Sequence, residues 1–152
     1  MKRSITLALS AIAAALVIMS VGLRAAEPTP EQTKAMQGTW ALEKFVLNGN
    51  EVDAEQLKSW RRVVENDHVT WTLGDGMTVE TDMKYDPSQS PMTLDTTFAT
   101  GDEKGKTTLA IYELKDDVLR VCFADFGKAR PSEFSSEPGS GQHLFVARRI
   151  AP

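Results

Sequence analysis

The 152-residue chain has a single cysteine, Cys122, so no intramolecular disulfide can form and the fold depends on packing alone. Histidine is almost as scarce, with His68 and His143 the only two. One cysteine and two distant histidines provide no clustered set of soft metal ligands. A shared metal site would need the fold to bring both imidazoles together, and two strand-end histidines is the simpler reading. Excess positive charge is also lacking: 17 Lys and Arg face 21 Asp and Glu, a net charge of −4. An acidic balance argues against nucleic acid and anionic membrane surfaces as partners. No internal repeat is evident, and only Ser135–Gly141 approaches low complexity.

The N-terminus has its own composition. Lys2 and Arg3 precede an apolar stretch from Ile5 to Leu23, followed by Arg24-Ala25-Ala26. A basic start, an apolar middle and small residues before a polar change read as a secretory signal peptide. The cleavage site is imperfect, because Leu23 or Arg24 stands where a small residue is preferred. The apolar run also approaches bilayer-spanning length, so an uncleaved anchor is the alternative and the one route to a membrane. Without Lys2, Arg3 and Arg24 the 17 basic residues fall to 14 against 21 acidic, a net charge of −7. Residues 1–26 are therefore read as an export segment, 27–35 as a polar linker and 36–152 as one domain. A monomer in the periplasm or outside the cell is expected.

From Gly38 onward the pattern is β, punctuated by turn signals. Strands are predicted at 39–47, 62–65, 68–73, 77–85, 92–99, 106–114, 118–124 and 142–150. Asp53–Trp60 is the one convincing helix, with Asp53 as N-cap, Gln56 as its capping-box partner, and Leu57 and Trp60 on one face. A helical turn is expected at Lys34–Gln37. About eight strands with nearest-neighbour connections predict a mainly β fold, an antiparallel up-and-down barrel.

Several motifs suggest chemistry and fail on spacing. Gly101–Thr107, GDEKGKT, has one residue too few for a phosphate loop, carries two acids where phosphate would sit, and runs into strand-like KTTLAIYEL. Gly139-Ser140-Gly141 lacks the outer glycines of a nucleophile elbow and any strand-to-helix turn. Paired carboxylates such as Asp116/Asp117 fall in turns or on a wet strand face. Cys122 is mid-strand, where a buried inert thiol is commonest, although Arg120 on the same face leaves a reactive thiolate open. Arg130, Glu133 and Phe134 belong to a long loop placed near the barrel mouth, where binding groups are often found. Trp71, Tyr85, Tyr112 and Phe123 are candidates to line a cavity, against the simpler reading that they fill the core.

Gly38-Thr39-Trp40 at the start of the first strand resembles the opening signature of lipocalins. More widely, MQGTW (36–40), NGNEV (48–52), YDPSQSPMTLDTTF (85–98), KGKTTLAIYEL (104–114), LRVCFA (119–124) and RPSEFSSEPGSG (130–141) are similar to a family of uncharacterised exported lipocalin-like proteins abundant in planctomycetes. The resemblance covers about Met36 to Ile150. It implies a small barrel in which Trp40 plugs the base and Arg148 or Arg149 lies over it, with Gly38, Trp40 and Arg148 as the structural signature. It brings no ligand, cofactor, reaction or catalytic residue. The expectation is a non-enzymatic binding protein whose barrel holds a small, partly apolar ligand among Trp71, Tyr85, Tyr112, Arg120, Phe123, Arg130, Glu133 and Phe134. The rivals are an interaction module of the cell envelope with a side-chain-filled barrel, and an enzyme of unknown reaction.

Overall fold

A computed structural model describes residues 27–152, and the export segment read in residues 1–26 lies outside the described residues. The alternating segments form nine strands: β1 (Gly38–Leu47), β2 (Asn50–Glu51), β3 (Arg61–Glu65), β4 (His68–Leu73), β5 (Met77–Asp86), β6 (Met92–Phe98), β7 (Thr107–Lys115), β8 (Val118–Ala124) and β9 (Gln142–Ala151). From β3 each pairs antiparallel with the next, β1 pairs with β3, and β1 returns to β9. β2 adds only two residue pairs beside the end of β1. The result is a closed, lipocalin-like barrel of eight antiparallel strands, which leaves no unpaired sheet edge along its circumference.

The connections follow from local chemistry. Asn48-Gly49 and Asp116-Asp117 have positive φ at both residues, as the primed hairpin turns require. At Gly49 a side chain would also collide with Pro138, since a Cβ there would stand 2.5 Å from the proline ring. GDEKGKT is the β6–β7 connection: the Gly105 amide donates to the Phe98 carbonyl at 2.8 Å and the Lys106 amide to the Glu103 carbonyl at 2.9 Å. No helix follows it, so the phosphate-loop reading is closed.

Strand β1 changes face partway along. Its register with β9 slips between Leu42 and Lys44, leaving Glu43 as the extra residue of a bulge. Trp40 and Leu42 are buried before the bulge, and Phe45 and Leu47 line the interior after it. A strand of strict period two could not aim both pairs inward.

Most of the segment read as a linker, from Pro30 onward, is helical. α1 (Pro30–Met36) is capped by Thr29, whose hydroxyl accepts from the Gln32 amide while the Gln32 side chain accepts from the Thr29 amide. Pro30 at its first position suits the fixed proline φ. The helical turn expected at 34–37 thus begins earlier, and its last residue, Met36, is buried against the end of the barrel.

Arg149 fastens that end. Its guanidinium carbon stands 4.3 Å from the Trp40 ring centre, its Nη atoms donate to the carbonyls of Ala35 and Gln37, and its Nε donates to Asp117 at 2.8 Å. The Trp40 indole N–H donates to the Met36 carbonyl at 3.3 Å. The basic residue over the tryptophan is therefore Arg149 and not Arg148. Phe145, Ala147 and Arg149 face inward along β9, so Arg148 points out and meets Glu43 at 2.6 Å. Gly38, with φ 104, is needed because a side chain there would strike the Ala151 carbonyl.

The predicted helix at 53–60 is shorter: α2 is Ala54–Leu57, and Asp53 caps it through the Glu55 amide at 2.8 Å instead of through a capping box with Gln56. It packs against β1. Leu57 is buried, and Trp60 packs edge-on against Phe45 with ring centres 5.6 Å apart.

Candidate functional site in the barrel interior

The two halves of the barrel differ. Toward α1 the interior is filled by Met36, Trp40, Val64, Met83, Tyr85 and Leu119. Toward the other end it widens into a cavity of about 290 Å³. Its walls are aromatic and aliphatic, including Phe45, Trp60, Trp71, Phe98, Phe123 and Phe145. Three of these rings, Trp60, Phe123 and Phe145, surround Phe45 with centres 5.6–6.2 Å away, a packed aromatic wall. Leu47, 41% exposed, marks the rim, so the cavity communicates with solvent there.

Polar residues in this cavity are few: Arg62, Thr81, Thr96 and Thr108. Arg62, 2% exposed, and Thr81, 1% exposed, both line it. Strand alternation explains the arginine. Arg61 turns outward and donates to the Lys58 and Trp60 carbonyls, both at 2.7 Å, so Arg62 must turn inward with Val64. Inside, the guanidinium stands 5.6 Å from the Trp71 ring centre, and its Nη2 reaches only the Met83 sulfur at 3.4 Å. Nε and Nη1 have no partner, and no ion pair among the described residues includes Arg62. Burial without a counter-charge pushes its pKa down to about 9, so it still carries its proton at neutral pH. The Thr81 hydroxyl is also without a partner. A buried charge in this state costs several kcal/mol, even after relaxation.

Of the aromatic candidates, Trp71 and Phe123 line the cavity, while Tyr85 and Tyr112 are buried and pack edge-on in the core, with ring centres 6.2 Å apart. Burial, with Tyr85 and Asp86 nearby, raises the Tyr112 phenol to about 12. These two tyrosines do not line the cavity wall; the simpler reading of them as core holds.

The loop candidates lie elsewhere. The 125–141 segment does not frame the mouth with RPSEF, because it folds back along the outer surface of the barrel. Arg130 donates to the Ala110 carbonyl at 2.6 Å and the Leu94 carbonyl at 3.3 Å, and pairs with Asp95 at 2.7 Å. Arg120 faces out from β8, pairs with Glu113 at 2.8 Å and covers the Phe134 ring at 4.1 Å. Glu133 is exposed on the same loop. Arg120, Arg130, Glu133 and Phe134 thus secure or decorate the outer wall, and none of them lines the cavity. The cause is chemical: outward Ile111 and Cys122 are 1% and 0% exposed, so something must cover them, and the loop does.

Cys122 is correspondingly quiet. Its thiol donates to the Ser135 carbonyl at 3.1 Å, and burial raises its pKa. Arg120 is engaged with Glu113 and Phe134 and does not activate it. Ser140 donates to the Glu137 carbonyl at 2.6 Å within the loop, far from a nucleophile's geometry.

The histidines are separate, each beside its own aspartate. His143 Nδ1 accepts from the Asn48 amide at 3.1 Å, which makes Nε2 the donor to Asp125 at 2.7 Å. This pair ties the 125–141 loop to the β1 turn. His68 meets Asp82 at 2.9 Å, a hydrogen bond that raises its pKa.

Reading by residue type missed Arg62, because an Arg61-Arg62 doublet at a strand start looks like solvated charge. The available signal was the shared face of Arg62 and Val64. Compared with models of protein families, with curated proteins and with solved structures, the chain matches none.

Proposed function

We propose that this is a non-enzymatic, extracytoplasmic binding protein that holds a small, largely apolar molecule in the open half of its barrel. One observation carries this reading: the interior is not filled, and about 290 Å³ lined by aromatic and aliphatic side chains opens at the rim beside Leu47. That volume is near the lower end of ligand pockets, about 300 Å³, so the ligand is compact. A barrel serving only as an interaction module has no use for such a space, since filling it with larger side chains would add packing energy. Binding would be driven by removing apolar ligand surface from water, at about 25 cal/mol per Å².

The test is titration with N-phenyl-1-naphthylamine, a neutral dye that brightens in apolar surroundings. Saturable binding is expected in the wild-type protein. It should be lost in Thr96→Phe and weakened in Ala110→Leu, both of which place bulk in the cavity. Equal dye binding by wild type and both variants, or none by any, would overturn the reading.

A further inference from the structure

We infer that the occupant of the cavity is an amphiphile with a singly charged anionic head, a carboxylate on a short apolar body, and that Arg62 anchors the head with help from Thr81. This rests on the binding role proposed above and names the chemistry of the bound molecule.

Three observations carry it. Arg62 lines the cavity at 2% exposure, and its Nε and Nη1 have no acceptor. Those two nitrogens hold three of the five guanidinium N–H groups. No carboxylate of the chain is paired with it among the described residues, whereas Arg120, Arg130, Arg148 and Arg149 each have one. Thr81, whose hydroxyl is also buried and unpartnered, lines the same cavity. A carboxylate supplies about four acceptor sites on two oxygens and fits this donor set. A doubly charged phosphate monoester would leave an excess negative charge in an apolar chamber with a single cation. A neutral alcohol would leave the guanidinium charge uncompensated. Apart from Thr96 and Thr108, the rest of the wall is apolar and receives the hydrocarbon body.

The experiment is competition of decanoate and decan-1-ol against N-phenyl-1-naphthylamine at low salt and about pH 8, where the acid is ionised. These ligands share a chain and differ in the head. The wild-type protein is expected to bind decanoate about tenfold or more tightly than the alcohol. In Arg62→Met the ratio of acid to alcohol affinity should fall to about one or below, and Thr81→Val should reduce the preference several-fold. If wild type binds the dye but takes acid and alcohol equally, the anionic-head inference fails and the apolar pocket stands. If it binds neither dye, acid nor alcohol, the binding role itself fails. Should Arg62→Met not fold, the wild-type comparison and Thr81→Val still decide.

Discussion

Replacing Arg62 by methionine should make the empty protein more stable. The guanidinium is 2% exposed, without a counter-ion, and satisfied only by the Met83 sulfur and the Trp71 ring. Burying an unpaired ion costs several kcal/mol after relaxation. The aromatic contact returns at most about 2 kcal/mol. Methionine keeps much of the side-chain length and adapts to irregular space, so the cavity it leaves is small. The net expectation is a gain of about 2 kcal/mol, or roughly 5–10 °C in Tm for a domain of this size. Urea unfolding followed by tryptophan fluorescence would read it, because Trp40 is fully buried in the folded state. The midpoint should rise with the slope unchanged. The pH dependence is part of the prediction. Burial lowers the folded pKa of Arg62 to about 9, below that of the unfolded chain. Both states are therefore protonated below that value, and the unfolded state binds the extra proton only above it. The penalty is fully present at neutral pH and relieved as pH rises through about 9. The stability gap between variant and wild type should accordingly be flat from about pH 5 to about pH 8. A loss of stability greater than about 1 kcal/mol in Arg62→Met would show that the arginine has a partner in solution, and the reasoning would be wrong.

Two further outcomes are expected. Arg149→Leu should lose about 2–3 kcal/mol, because it removes the cover of Trp40 and the donors to Ala35 and Gln37; Arg148→Ala, which breaks only an exposed pair with Glu43, should lose less than about 1 kcal/mol in the same unfolding assay. Cys122 should resist Ellman's reagent in the native protein, and Arg130→Ala, which frees the 125–141 loop from β6 and β7, should raise its labelling rate about tenfold or more.

The sequence made the barrel legible because its turns carry their own chemistry: Asn48-Gly49 and Asp116-Asp117 supply the positive φ that tight hairpins need. Gly38 and Trp40 likewise marked the closed end. What escaped were facts set by register and by distant partners. Arg148 and Arg149 are adjacent, and only the pairing of β9 with β1 decides which one meets Trp40. Arg130 reads as a ligand-binding loop residue until its acceptors, Leu94, Ala110 and Asp95, become neighbours in space. The stretch at 27–35 reads as a tether because two prolines and polar residues dominate it, yet the capping box and Met36 make residues 30–36 a docked helix. Trp71 and Phe123 were legible as cavity candidates, whereas Arg62 was hidden behind Arg61.

The bulge at Glu43 has a consequence for how β1 is written. The strand is spelled in two frames, one in which even-numbered residues face the interior and one in which odd-numbered residues do. The first frame places Trp40 and Leu42 in the closed core, and the second gives Phe45 and Leu47 to the cavity. Held in a single frame, the strand would turn Lys44 and Val46 toward the cavity and put Phe45 in water. One inserted residue thus lets a single strand serve as plug at one end and as binding wall at the other.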